Sequence, residues 1–138
     1  MKNILLAHDG SESANKALKR ALSLAKDLGS KITILYVVPS IGFVEAGVDY
    51  ETLMNIYRAE ASGVIEGIKN ILKEEGLDAH TIILEGKPSE VIVDYARDNN
   101  IDLIIVGSTG KDATERTLLG SVSSKVAMNA PCSVLIVR

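Results

Sequence analysis

The run Gly107-Ser108-Thr109-Gly110-Lys111 follows directly on an apolar, β-branched stretch, Leu103 to Val106, and Gly120-Ser121 stands where a later helical stretch begins. A glycine at a strand exit can take positive φ and bring its backbone close to a ligand, so that successive N–H groups converge on an anion. The N-terminus of a following helix adds donors without intrahelical partners and about half a positive charge. These are the parts of a phosphate cradle, and the hydroxyls of Ser121 and Ser123 with the Val122 amide are placed to complete it. The same letters also suit a plain turn, with Gly120 permitting close packing, and spacing alone leaves both readings open.

Two familiar phosphate-binding patterns do not fit. A Walker A loop needs four residues between its glycines and Ser or Thr after the lysine, whereas two residues separate Gly107 from Gly110 and Asp112 follows Lys111. The first strand-to-helix turn reads Asp9-Gly10-Ser11, without the G-x-G-x-x-G of a dinucleotide fold. His8, Asp9 and Ser11 do not make a hydrolytic triad, because neighbours in one tight turn cannot line up the sequential hydrogen bonds that a triad requires. No second His or Cys stands at ligand spacing from His8 or His80, so no residue is assigned to a protein-held metal. Asp9 reads equally as a ligand contact and as a turn residue before Gly10.

The elements that must position these residues follow from hydrophobic periodicity. Ile4 to Ala7, Ile32 to Val38, Thr81 to Leu84, Leu103 to Val106 and Val134 to Val137 are short and mostly continuous apolar runs, as strands covered on both faces are. Between them, Ala14, Ala17, Leu18, Ala21, Leu22 and Ala25 form one helical stripe, with Ser11 as N-cap and Gly29 as stop. A second stripe, Leu53, Tyr57, Ala61, Val64, Ile68, Ile71 and Leu72, ends near Gly76, and its Gly63 and Gly67 suggest close packing. Pro88 opens a third helix carrying Val91, Ile92, Tyr95 and Ala96, and a fourth runs from about Leu118 to Asn129, before Pro131. Pro39 to Asp49 fits neither period and reads as a loop. The alternating order predicts an α/β fold: a single-domain, open, doubly wound, mainly parallel five-stranded sheet with helices on both faces, whose ligands bind beyond the carboxyl ends of the strands.

The totals narrow the function. The chain has 138 residues, 46% of them apolar, enough for one core and one domain spanning residues 1–138. Its net charge of -3, with acids and bases mixed along the chain, gives neither a nucleic-acid footprint nor a polybasic membrane patch. Cys132 is the only cysteine, which excludes an intramolecular disulfide framework and leaves the thiol a core role. The N-terminal apolar run breaks at His8-Asp9 and no run approaches the length of a membrane span, so a cytoplasmic protein is expected.

Gly107, Gly110, Gly120 and Ser121 fill every fixed position of G-x2-G-x9-G-[ST], and in this the chain resembles the ATP-binding members of the universal stress protein family. The likeness continues through Ile4 to Ser11, Leu35 to Pro39, Glu85 to Pro88 and Ala130 to Val137, essentially the whole chain. The resemblance implies a Rossmann-like fold that binds ATP, or alternatively AMP or ADP, with Mg²⁺ arriving on the nucleotide. It implies that Asp9 lies near ribose and phosphates, that the Val37 backbone pairs with adenine, and that Ala7 and His8 flank the pocket. The expected nucleotide-binding set is Ala7, His8, Asp9, Val37, Val106, Gly107, Gly110, Lys111, Gly120, Ser121, Val122 and Ser123, with no catalytic residue. Thr109 departs from the family, whose members often place His or Arg there, and this shifts the phosphate contact toward backbone amides and Lys111. The last strand, an edge in the family's strand order, implies a homodimer through Val134 to Val137.

The function expected is that of a nucleotide-dependent regulatory module in a stress response. A slow ATPase or phosphotransferase in the same pocket, an adenylate sensor and a ligand-free dimeric scaffold are the alternatives. A phosphoryl-accepting receiver domain shares the alternating order, but it needs an acidic pair after the first strand and an aspartate ending the third; here those positions read His8-Asp9 and Leu84-Glu85.

Overall fold

In the computed structural model, which describes residues 1–40, 49–109 and 119–138, the five apolar runs form strands β1 (Asn3–His8), β2 (Lys31–Pro39), β3 (His80–Gly86), β4 (Leu103–Gly107) and β5 (Ser133–Val137). Ile4, Leu5 and Leu6 are all fully buried although successive side chains point to opposite faces, so β1 is covered on both sides. All pairings are parallel, in the order β3-β2-β1-β4-β5. The chain winds outward from β1 through β2 to β3, then crosses back to place β4 on the other side of β1. The winding reverses between β1 and β4, where the carboxyl ends of adjacent strands diverge. The fold expected from the alternating pattern is the one found.

Helices α1 (Glu12–Leu28) and α2 (Tyr50–Glu74) cover one face; α3 (Pro88–Asp98) and α4 (Ser121–Asn129) cover the other. The first core joins Ile4, Leu6, Ile34, Tyr36 and Ile105 to Ala17, Leu18 and Ala21 of α1 and to Ala61, Ile65 and Ile68 of α2. The second joins Leu5, Leu35, Val37, Ile104 and Val106 to Ile92 and Ala96 of α3 and to Val126 of α4. Cys132 packs against this second core, half-buried, and burial pushes its thiol pKa up.

α1 follows its sequence pattern closely. The Ser11 side chain accepts the Ala14 N–H, the six stripe residues are the buried ones, and Gly29 caps the end at φ 63°. In α2 the buried stripe is Met54, Ala61, Ile65, Ile68 and Leu72, while Ile71 lies at the surface, so the face is rotated slightly from the expected one. Gly63 and Gly67 are exposed, and a Cβ at either would meet nothing within 4 Å, which removes close packing as their explanation. α4 begins at Ser121, later than expected, because Gly120 keeps extended dihedrals (φ -71°, ψ 165°) as its N-cap. β2 runs on through Pro39, and Asp49 is the N-cap of α2, so only residues 41–48 of the expected loop lie outside the described residues.

Asp102 ties β4 to β1 at the amino end of the reversal: its carboxylate accepts the N–H of Lys2 (3.0 Å) and Asn3 (2.9 Å), and its own N–H donates to Asn3 O (2.9 Å). Those backbone bonds hold its carboxyl pKa below the usual value. A depressed folded-state pKa means stabilisation that is complete above the unfolded value of about 3.9 and lost as pH falls through the folded one. The stability gap between wild type and Asp102→Asn, measured by urea unfolding, is expected to close as pH is lowered below about 4. Gly63→Ala and Gly67→Ala are each expected to stabilise the protein by about 0.5–1 kcal/mol in the same assay, because the new methyl meets no obstacle and the unfolded chain loses freedom.

Candidate functional site

Each helix runs back against the direction of its strands, so helix N-termini collect at the carboxyl edge of the sheet. There a cavity of about 780 Å³ extends from the end of β2 past β1 to the end of β4, in the size range of small-molecule sites. Val37 to Ser40 line one end, Ala7 to Asp9 the middle, and Val106, Gly107, Thr109 and Gly120 to Ser123 the other. Tyr57 and Glu60 of α2 and Pro88 and Ile92 of α3 add walls.

The β1–α1 turn is fixed from within. His8 is 3% exposed; its Nδ1 accepts the Gly10 N–H at 2.9 Å, which makes Nε2 the protonated nitrogen, donating to Asn15 Oδ1 at 2.9 Å. Gly10 takes φ 86°, a left-handed position suited to glycine. Asp9 Oδ1 accepts the Ser11 N–H at 2.9 Å, and the Tyr36 hydroxyl donates to Asp9 O at 3.2 Å. Both ring nitrogens of His8 are thus used to hold the turn, and Asp9 serves as a turn residue while still lining the cavity.

At the end of β4 the chain passes against the first turn of α1. A Cβ on Gly107 would lie 2.5 Å from Ser13 Oγ and 2.7 Å from the Ser13 carbonyl carbon, closer than real Cβ contacts come. Neither Gly107 nor Gly120 uses positive φ. The expected reason for a glycine at the strand exit is therefore corrected: at Gly107 the requirement is the absence of a side chain between two backbones. The Thr109 N–H donates to Ser13 Oγ at 3.3 Å, joining the same surfaces.

Ser108 fastens the exit on its other side. Its N–H donates to Val137 O at 2.9 Å, and its carbonyl accepts the Gly120 N–H at 2.6 Å and lies 3.0 Å from Ser123 Oγ. Ser123, 3% exposed, also sits 3.1 Å from Gly120 O, so its hydroxyl proton is directed to main-chain carbonyls. Its hydroxyl fixes the start of α4 instead of donating into the cavity. Gly120 offers no side-chain cap, and the first-turn N–H groups, from Ser121 onward, have no intrahelical acceptors. They face the cavity with the positive end of the helix dipole.

At the opposite end, the Lys31 N–H donates toward β1, to Lys2 O, and the Ser40 N–H toward β3, to Gly86 O. Alternation along an extended strand then turns the main-chain groups of Val37 toward β1. The β1 ladder ends at the His8–Tyr36 pair, and the chain beyond it swings away with the Gly10 N–H on His8, which leaves the Val37 carbonyl edge on the cavity.

Of the residues singled out in the sequence, Ala7, His8, Asp9, Val37, Val106, Gly107, Gly120, Ser121, Val122 and Ser123 all line this cavity; Gly110 and Lys111 lie outside the described residues. Tyr57, Glu60, Pro88 and Ser40 also line it and were not assigned to the site from sequence: Tyr57 and Glu60 lie on α2, which carries no motif, and Pro88 was read as the start of α3. Tyr57 belonged to the apolar stripe of α2, where a core role and a cavity-wall role look alike. Among the described residues no group of three or more His, Cys, Asp or Glu is placed to hold a metal. Gly107→Ala is expected to lower stability by about 1–3 kcal/mol, from overpacking against the Ser13 backbone, in a thermal or denaturant melt.

The signature of the universal stress protein family matches residues 1–138. A universal stress protein of Methanocaldococcus jannaschii is 36% identical over 140 residues, covering 99% of this chain and 82% of the relative. Among solved structures, universal stress protein UspA from Lactobacillus plantarum superposes with a TM-score of 0.91 at 30% identity, covering 99% of this chain and 97% of that one. A universal stress protein solved in complex with cAMP superposes with a TM-score of 0.76 at 25% identity, over 99% and 97% of the two chains.

Proposed function

The chain belongs to the universal stress protein family, and we propose that its strand-end cavity binds an adenine nucleotide, ATP with Mg²⁺, as a regulatory ligand in a cytoplasmic stress response. The observation that carries this reading is the uncapped N-terminus of α4, held against the β4 exit by Ser108 and Ser123, opening onto a cavity whose other end is the main-chain edge of Val37. The anionic end of a nucleotide suits the first and its base the second. Phosphates would take the N–H groups of Ser121 and Val122 with the Ser121 hydroxyl; ribose would lie near Asp9; adenine would pair at Val37. Gly110 and Lys111 complete the phosphate contacts in this reading.

Mg²⁺ fits this donor set as the counterion of a triphosphate, since such ions are held by one or two carboxylates plus phosphate oxygens, and Asp9 and Glu60 are carboxylates that line the cavity. Turnover is not part of the reading: His8 is used up within its turn, and a catalyst of phosphoryl transfer needs a group to orient the attacking water or hydroxyl. A second reading, an AMP-type sensor, is favoured by Thr109, which places no cation beside the phosphate site, and by the relative solved with cAMP. Among the described residues β5 is paired on one side only, by β4, and in this proposal its open edge meets the same edge of a second copy, giving a homodimer.

Protein purified from its expression host and denatured is expected to release ATP on chromatography, whereas Gly120→Val releases none. Valine accepts the extended dihedrals of residue 120, and a ligand-free melt of the variant separates loss of the cavity from loss of the fold. Added ATP should stabilise the wild type by about 2.7 kcal/mol at a concentration 100-fold above Kd. Absence of released nucleotide, together with no rise in Tm on adding ATP or AMP, would overturn the assignment.

A further inference from the structure

A second concavity lies on the far side of α1 from the sheet's centre. Lys16, Lys19, Arg20 and Ser23 on the outer face of α1 join Val137 and Arg138 at the end of β5 around a cleft of about 390 Å³. Spacing explains the α1 contribution: residues three and four apart share a helix face, so Lys16, Lys19, Arg20 and Ser23 fall together one turn apart. Arg138 comes from the opposite end of the sequence, which is why acids and bases that look mixed along the chain resolve into a local cationic cluster once folded.

Several exposed helix cations sit beside acids, although Lys73 and Lys125 form no ion pair among the described residues. Lys69 pairs with Glu66, Arg97 with Asp94 and Lys87 with Glu90, each three residues away, and Lys26 on α1 itself pairs with Glu75. Lys16, Lys19, Arg20 and Arg138 form no ion pair among the described residues, although Glu12 stands one turn before Lys16 and the whole chain has a net charge of -3. Like charges three and four residues apart on a helix repel, and Glu12, four residues before Lys16, offsets only part of that repulsion. Concavity distinguishes the cluster further, because a cleft lets several cations reach one ligand while a convex face does not.

We propose that this cleft between α1 and the end of β5 is an anion site that takes a compact ligand carrying several phosphate groups. Arg20 and Arg138 supply forked guanidinium donors that match phosphate oxygens in pairs, the two lysines supply movable ammonium groups, and Ser23 supplies a neutral hydroxyl. At about 390 Å³ the cleft has room for a short phosphate chain. The ligand's phosphates could belong to free polyphosphate or to the tail of a nucleotide bound tail-first. The site is separate from the strand-end cavity and shares no lining residue with it.

The test is calorimetric titration with inorganic tripolyphosphate, using full-length protein carrying Gly120→Val so that the strand-end cavity does not contribute. Saturable binding is expected at about 50 mM salt, weakening at about 200 mM as screening grows. Lys16→Gln/Lys19→Gln/Arg20→Gln in the same background is expected to weaken it at least about tenfold, with Arg20→Gln alone falling between and keeping the test valid if the triple variant melts early. ATP matching tripolyphosphate in this background would identify a nucleotide tail as the source, and ATP failing where tripolyphosphate binds would identify free polyphosphate; either supports the site. Equal affinity in Gly120→Val with and without the Arg20→Gln change, no saturable binding at the lower salt, or binding of poly-glutamate in place of tripolyphosphate would overturn it.

Discussion

At Gly107 the backbone of β4 passes so near Ser13 that no side chain fits between them, and the geometry of the cavity follows from that contact. It fixes where β4 ends relative to the first turn of α1. Ser108, the next residue, can then reach Val137 on one side and Gly120 on the other, and Ser123 locks the same carbonyl from the first turn of α4. Two helix N-termini and two strand ends are held in register by a few main-chain bonds and one buried hydroxyl. If β4 and α1 moved apart, the donors at the start of α4 would lose their place opposite Val37.

The polarity of the cavity is a consequence of the parallel sheet. Strands that all run one way collect helix N-termini at one edge, and reversal of the winding between β1 and β4 opens the space in which they converge. One end of that space is positive because α4 starts there without a side-chain cap; the other presents the main-chain edge of Val37 because β1 stops one residue short of pairing with it. Asp9 stands between, held by its own turn. A ligand with a polyanionic end and a hydrogen-bonding base matches this arrangement.

Strands, helix order and the whole of α1 were legible in the sequence because burial on both faces leaves continuous apolar runs and one clean helical stripe. What sequence periodicity misread were features decided by distant neighbours. Ile71 continues the stripe of α2, yet the helix is rotated so that Met54 and Ile65 face the core. Gly63 and Gly67 look like packing glycines but face open space, while Gly107, which looks like a flexible turn, is the one pressed against another backbone. The Ser123 hydroxyl could not be assigned to the main chain without knowing that Ser108 O lies beside it. Tyr57 and Glu60 reach the cavity only because α2 packs over the end of β2. The cationic cleft needed the two ends of the chain brought together.

The central claim, that an adenine nucleotide lies between Val37 and the start of α4, is tested most directly by mapping amide chemical shifts of the isotope-labelled protein on titration with ATP and Mg²⁺. Saturating shifts at Val37, Gly107, Gly120, Ser121 and Val122 are the predicted result. Shifts confined to residues away from the carboxyl ends of β1, β2 and β4, or none at millimolar nucleotide, would contradict it.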